Sequence, residues 1–210
     1  MNEDTPRPAY RVQTERLELR CWSPADAPAL RAALDESDAH LRPWIPFMAE
    51  EPRSLAETAS WLALLRARFD LGEGYRYAVF SRDEPGRLLG ENMLLARVGP
   101  GALEIGYWTR LGQDGRGYAR EASRAMIRLA FELHGVSRVE IHCVPENRAS
   151  AVIPARLGFT HEATRRRFVT DTEGRVRDLM IWTLLDDEYP AAPAHGIDLE
   201  AWDAIGEKLL

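Results

Sequence analysis

Leu103-Glu104-Ile105-Gly106-Tyr107-Trp108, a six-residue spacer at 109–114, then Gly115-Arg116-Gly117-Tyr118-Ala119-Arg120-Glu121-Ala122 is the stretch on which the fold turns. Its first residues alternate as a strand does, and three glycines fall within 112–117. A helical period starts at once, with Ala122, Ala125, Met126, Leu129, Ala130 and Leu133 at i, i+3, i+4, i+7, i+8 and i+11. Gly135 closes that helix, and Val139, Ile141 and Cys143 alternate again. The order strand, glycine loop, helix, strand aims backbone N–H groups out of a helix N-terminus, where the dipole adds about half a positive charge. Gly115, Arg116, Gly117, Tyr118 and Ala119 are therefore a candidate anion cradle, to which Arg116 can add a charge-assisted contact. No Gly-Lys-Ser/Thr follows the glycines, which excludes a P-loop. The third small residue of a dinucleotide fingerprint is absent too, although a nucleotide-binding fold using the same glycines stays open as a reading.

Working outward, residues 75–80, 88–96 and 103–108 read as three strands joined by Asp83-Glu84-Pro85-Gly86 and Pro100-Gly101, an antiparallel meander. Residues 16–21 alternate as a half-buried strand, and Ser23-Pro24-Ala25-Asp26 is a capping box that opens a helix to about Leu34. Ser54 and Glu57 open a second helix to about Phe69. Between the two helices, prolines 43 and 46 break any helix while Leu41, Trp44, Ile45 and Phe47 stay apolar. Downstream, 136–144 reads as a strand, Asn147 opens a short helix that stops at Gly158, and strands at 160–167 and 176–185 flank a turn at 171–174. The pattern predicts one domain over 1–189, with 1–11 a frayed N-terminus, then a linker and a C-terminal amphipathic helix over 190–210. Leu199, Trp202, Ile205 and Leu209 carry that helix.

Composition narrows the function. The chain has 210 residues and two cysteines, long enough to bury a core without a disulfide or metal staple. Cys21 and Cys143 have no ligand spacing with the histidines, so no metal is expected. A net charge of −6 argues against a nucleic-acid partner. No apolar run approaches the length of a membrane span, and the first residues do not read as a signal peptide, so the expected setting is the cytoplasm. Only one of 27 basic residues, Lys208, is a lysine; we infer no site from the abundance of arginine.

The central stretch resembles the acetyl-CoA-binding core of the GNAT N-acetyltransferase superfamily. The resemblance continues through Val-Glu-Ile-His-Cys-Val-Pro-Glu-Asn-Arg-Ala-Ser at 139–150 and Ala-Arg-Leu-Gly-Phe at 155–159, and covers about residues 12–186. Thr14-Glu15-Arg16-Leu17, Leu41-Arg42-Pro43-Trp44 and the pair Asn147 and Ser150 are similar to the RimJ/RimL branch. The resemblance implies a mixed α/β fold: a twisted, mostly antiparallel sheet with helices on both faces and one parallel strand pair. It implies acetyl-CoA as cosubstrate, its pyrophosphate on the amides of 115–119 and its pantetheine arm beside Trp108, Thr109 and Asn147. It implies Ser150 as the proton donor to the departing thiolate. Two positions depart from the superfamily pattern: Asp114 stands where Gln or Arg is usual, and Pro154 where many members carry a tyrosine.

On this reading Glu104 takes a proton from an attacking primary amine, and Trp44 and Phe47 line the acceptor pocket. Each residue has a plainer role available: Glu104 a structural ion pair, Ser150 helix-cap chemistry, Trp44 and Phe47 a packed corner. Cys143 reads as a buried strand cysteine rather than a nucleophile, and His40, His134 and His142 as structural. The arginines at 165–167 read as a solvated edge, because consecutive strand residues face opposite sides. The expected activity is acetyl transfer to a protein N-terminal α-amine or a small-molecule amine, in a monomer or homodimer. The rival is a module that binds acyl-CoA without catalysis.

Overall fold

The computed structural model describes residues 8–210. Among the described residues nine strands, β1 (Arg11–Gln13), β2 (Leu17–Cys21), β3 (Tyr75–Ser81), β4 (Leu88–Leu95), β5 (Ala102–Thr109), β6 (Arg138–Cys143), β7 (Thr160–Thr170), β8 (Val176–Leu185) and β9 (Glu200–Trp202), form one sheet in the order β7-β8-β6-β5-β4-β3-β2-β1-β9. The meander is present as β3 (Tyr75–Ser81), β4 (Leu88–Leu95) and β5 (Ala102–Thr109), all antiparallel. β5 then pairs in parallel with β6 (Arg138–Cys143), the crossover running through α3 (Tyr118–Arg128) and a π-turn at Leu129–Leu133. α4 (Arg148–Leu157) leads into the hairpin β7 (Thr160–Thr170) and β8 (Val176–Leu185), and β8 returns antiparallel against β6. Before the meander come β1 (Arg11–Gln13), β2 (Leu17–Cys21), α1 (Ala27–Leu41) and α2 (Leu55–Asp70). The mixed α/β class and the single parallel pair are as the sequence implied.

Strand alternation splits the core in two. Ala78, Phe80, Leu88 and Trp108 face α1 and most of α2, with Trp22, Leu30, Leu34 and Leu62 among the residues that fill that side. Tyr77, Val79, Leu89, Leu103, Ile105 and Ile141 face α3, whose Ala122, Ala125, Met126 and Leu129 are fully or almost fully buried. Both predicted capping boxes form: Ser23 with Asp26, and Ser54 with Glu57.

The C-terminus corrects the expectation. Residues 197–210 are not a helix: Glu200–Trp202 is β9, pairing antiparallel with β1, and Trp202 bridges Lys208. Leu199 and Ala201 are buried while Ile205 is 86% exposed, a period of two where the sequence suggested 3.6. The physical cause is non-local, since the open edge of β1 offers backbone groups that a strand can pair and a helix cannot. The expected linker is packed: Ala194 is fully buried, and Arg124 on α3 donates to the carbonyls of Ala194 and His195. Residues 1–7 of the expected frayed terminus lie outside the described residues. Ala9 is fully buried, the Tyr10 N–H bonds to the Trp202 carbonyl, and Arg11 is in β1, so this part of it is ordered. Lys208 closes the edge with an ion pair to Glu200 at 2.7 Å.

Candidate active site

β5 and β6 are in register from Ala102 with Arg138 to Ile105 with Ile141, and there the pairing stops. β5 continues to Thr109 on β4, and β6 to Cys143 on β8, so the two strands part like a fork. Each prong keeps its sheet partner on the outer side and leaves an unpaired backbone edge inside the fork, along 106–109 on β5. Gly90 sets how closely β4 approaches there: a Cβ on it would stand 2.1 Å from the Trp108 carbonyl oxygen. The Trp108 side chain is buried away from the fork, its Nε1 donating to Glu91 at 3.0 Å. Thr109 is half-buried opposite Gly90.

The glycine loop closes the fork's open end. Gly117, at φ +84°, is the N-cap of α3 and carries no side chain to cap it. No acceptor engages the N–H groups of residues 115–119 among the described residues, and Gly115, Arg116, Tyr118 and Ala119 are exposed or half-buried. Asp114 is exposed and forms no ion pair among the described residues. The loop is fastened from below. Glu121 on the first turn of α3 accepts from Thr14 Oγ1 at 2.6 Å, from the Arg16 N–H at 3.1 Å and from Arg16 Nε at 2.7 Å. Arg16 also donates to the Arg116 carbonyl and lies over the Tyr118 ring. Thr14 and Arg16 of the Thr-Glu-Arg-Leu stretch thus hold the cradle, a role the sequence reading did not give them.

On the α4 side of the sheet, Asn147 caps the helix, its Oδ1 accepting from the Ser150 N–H at 3.2 Å. The Ser150 hydroxyl is left to side-chain chemistry. It lies 3.1 Å from the Tyr107 hydroxyl, which also donates to the Ser150 carbonyl at 3.0 Å. Burial pushes the Tyr107 phenol up, and pushes the Cys143 thiol up to about 11 despite a hydrogen bond to Ser150. Cys143 is thus a protonated bystander at neutral pH, as its alternation suggested. Tyr107 was quoted only as part of the strand; its partner sits 43 residues away, which no local pattern reveals.

The opposite face carries charge. Glu104 is 3% exposed, and Arg97 spans both its oxygens, with Nε to Oε2 at 2.7 Å. His142 sits beside it with Nδ1 3.4 Å from Glu104 Oε2 and Nε2 2.5 Å from Glu140 Oε2. Glu140 is held in turn by Arg138 at 2.5 Å. The plainer role for Glu104, an ion pair, is therefore present, and His142, read from the sequence as structural, has carboxylate neighbours. Its partners are the cross-strand Glu104 and the same-face Glu140, invisible without the parallel register.

Trp44 and Phe47 are half-buried in the turn after α1. Phe47 packs on Trp61 with centroids 5.2 Å apart, under the Arg76 guanidinium. Thr172, at the tip of the β7–β8 hairpin, donates to the Arg42 carbonyl at 2.7 Å, so the two segments meet. The residue missed altogether is Glu91, 2% exposed, which accepts from the indoles of Trp22 and Trp108 and from Arg76. Its one sequence signal is an acid inside the apolar run Leu88–Leu95.

A strand fork with a glycine-loop helix at its mouth is a recognisable arrangement, and the chain matches the Acetyltransferase (GNAT) domain family over residues 16–160. The chain belongs to the GNAT acetyltransferases. YdaF of Bacillus subtilis (strain 168), whose name assigns it provisionally to the ribosomal N-acetyltransferases, is 30% identical over 182 residues, covering 83% of this chain and 94% of YdaF. The [ribosomal protein uS5]-alanine N-acetyltransferase of Escherichia coli (strain K12) is 25% identical over 183 residues, covering 87% of this chain and 94% of that enzyme. The structure of RimL, a ribosomal L7/L12 α-N-protein acetyltransferase, in complex with coenzyme A shares the fold. Its TM-score is 0.75 at 22% identity, covering 83% of this chain and 97% of RimL. As a RimJ/RimL-like GNAT domain, the protein is an N-acetyltransferase. Among the described residues no helix is long and apolar enough to cross a membrane.

Proposed function

We propose that this GNAT domain moves an acetyl group from acetyl-CoA to a primary α-amine, by direct attack in a ternary complex. The observation that carries this reading is the fork itself: a free strand edge on β5, with unclaimed amides at its mouth and polar side chains of opposite character on its two faces. The residues suit the cosubstrate, whose chemistry when bound is to supply an activated thioester. The amides of Gly117, Tyr118 and Ala119 receive pyrophosphate oxygens, with Gly115 and Arg116 beside them. The edge of β5 from Trp108 to Thr109 pairs with the pantetheine arm as with a short peptide, with Asn147 alongside, and its amides polarise the thioester carbonyl. Asp114 is exposed, where water and salt screen its charge.

The Glu104 face draws the proton from the amine, and Ser150, coupled to Tyr107, supplies one to the departing sulfur. Direct attack needs no covalent enzyme intermediate, in keeping with a thiol at Cys143 pushed up to about 11. Acceptor basicity favours an α-amine: freeing it at pH 7 costs about 1.2 kcal/mol against about 4.6 for a lysine amine, at 1.36 kcal/mol per unit. The relatives named for ribosomal-protein acetylation support a protein N-terminus, with Trp44 and Phe47 beside its first residues.

Calorimetry with acetyl-CoA, ATP and NAD, joined to a coenzyme A thiol-release assay over alanyl and seryl peptides, polyamines and aminoglycosides, tests the proposal. Binding of acetyl-CoA alone among the three, with turnover on free N-terminal peptides, is the expected result. Tight binding without turnover on any amine would make the protein an acyl-CoA-binding module instead.

A further inference from the structure

We infer that His142 is the proton acceptor of this site, taking the amine proton on Nδ1, with Glu140 positioning the ring and Glu104 stabilising the charge that arrives. The inference rests on the acetyl-transfer reading and deepens it. His142 is the last residue but one of β6, just past Ile141 where β5 and β6 part, and its side chain stands on the face that carries Glu104. Its Nε2 is 2.5 Å from Glu140 Oε2, a hydrogen-bond distance, so the ring proton lies on that nitrogen. Nδ1 is 3.4 Å from Glu104 Oε2, beyond a good hydrogen bond, as expected of a bare lone pair facing a carboxylate. Protonating Nδ1 turns that facing pair into an attractive one.

Glu104 is poorly placed to accept a proton itself. Both its oxygens already accept from Arg97, a guanidinium that never gives up its charge. The groups around His142 are Glu104 with Arg97 behind it and Glu140 with Arg138 behind it; on β8 the cross-strand neighbour Ile181 is apolar. Every carboxylate near the ring is thus charge-matched, and Nδ1 of His142 is left among them as an open lone pair. Two carboxylates bound to arginines bracket the imidazole, so a proton that arrives on Nδ1 meets opposite charge.

The step balances. The ammonium N–H bond breaks, its proton goes to His142 Nδ1, and the freed lone pair attacks the thioester carbon. The C–S bond breaks with its electron pair on sulfur, which is protonated from the Ser150 side of the sheet. The attacking nitrogen, cationic after addition, gives its second proton to water and is left as a neutral amide; water restores the proton given up on the Ser150 side, and His142 returns its own proton to water.

Two measurements on the full chain test this. Long-range proton–nitrogen correlation on protein labelled with 15N-histidine reads the tautomer, His142 being assigned by its loss in His142→Gln. The neutral ring should carry its proton on Nε2; an Nδ1–H tautomer would leave no lone pair toward Glu104 and overturn the assignment. Kinetics with acetyl-CoA and an alanyl peptide then separate roles. His142→Gln keeps a donor toward Glu140 but has no basic nitrogen. It should lose about 10²–10⁴-fold in kcat at pH 7 with the acetyl-CoA Kd unchanged, and recover at pH 9, where the amine frees itself. Glu140→Gln should fall between it and wild type. A His142→Gln enzyme with the wild-type rate and acid limb, or a Glu140→Gln enzyme indistinguishable from wild type, refutes the inference. Wild-type protein that binds acetyl-CoA and acetylates no amine would instead bring down the acetyl-transfer reading beneath it.

Discussion

Ser150 is the residue whose two roles are best separated by one substitution. Asn147 already caps α4, so Ser150→Ala removes a hydroxyl shared with Tyr107 and costs about 1 kcal/mol of stability. If that hydroxyl feeds the departing thiolate, kcat should drop while the acetyl-CoA Kd stays put, and a melting curve and a turnover assay on the same sample tell the two apart. Full turnover with a lowered Tm would pass the role to Tyr107 or water. His134 offers a pH signature of a different kind. Burial pushes its pKa down to about 4, and its Nε2 is buried without a hydrogen-bond partner among the described residues while the ring packs on Tyr75 at 4.6 Å. The unfolded chain titrates this side chain near 6.5, so between about 6.5 and 4 the unfolded state holds the extra proton. Stability from this group is therefore whole above about 6.5 and falls as pH drops toward 4, by up to about 3 kcal/mol. His134→Phe should flatten the slope of Tm against pH across that window; an unchanged slope would place the titration elsewhere. Glu104 and Ser150 were legible through the family resemblance, which marks both positions, and not through local pattern, since Glu91 is also an acid inside a strand and was passed over. Glu140 and His142 did not stand out, since what brings them beside Glu104 is a parallel register set by the crossover over residues 110–137.

Among the elements, α3 was the most legible and the C-terminal strand the least. The helix declares itself by six apolar positions at one period and by the glycines before it. Gly117→Val should reduce acetyl-CoA affinity at least tenfold by calorimetry, since a side chain at φ +84° costs about 1–2 kcal/mol and crowds the amides. Glu121→Ala tests the fastening instead. It strips the partners from Thr14 and Arg16, and should cost about 1–3 kcal/mol of stability and loosen acetyl-CoA binding, although Glu121 is no part of the cradle. Unchanged affinity in that variant would mean the first turn of α3 holds its place without the anchor. β9 was misread because Leu199, Trp202, Ile205 and Leu209 fall at helical spacing. The pairing of Val12 with Ala201 and the burial of Leu199 override that period.

At the scale of the whole molecule, the sheet's two ends are finished differently. β7 is exposed along nearly its whole length and carries Arg165, Arg166 and Arg167, whereas the far end is closed by three residues of β9. Charge and a bulge between Arg165 and Val169 suit an edge left in water, as the sequence reading of those arginines held. The β1 edge has no such protection, so deleting residues 199–210 should lower Tm and promote concentration-dependent association, seen by light scattering. A monomeric truncation with an unchanged Tm would show that β9 is ornamental. The meander follows from short-range patterning, and the parallel pair and the helices on both faces were legible through the family resemblance. The order of the outer strands does not, because it depends on which edges meet after the chain has closed.

The clasp between Lys208 and Glu200 has a practical corollary. A catalyst that acylates amines is itself a potential victim of its own chemistry, and this one offers a single lysine side chain, neutralised by a carboxylate on the edge furthest along the sheet from β7. Self-modification at lysine is thereby confined to one address, and mass spectrometry of the protein after prolonged incubation with its donor has one tryptic lysine to inspect. The same scarcity makes Lys208 the one lysine handle: a succinimidyl dye would tether there and at the α-amine, and the lysine-linked product would report the opening of the sheet's last strand.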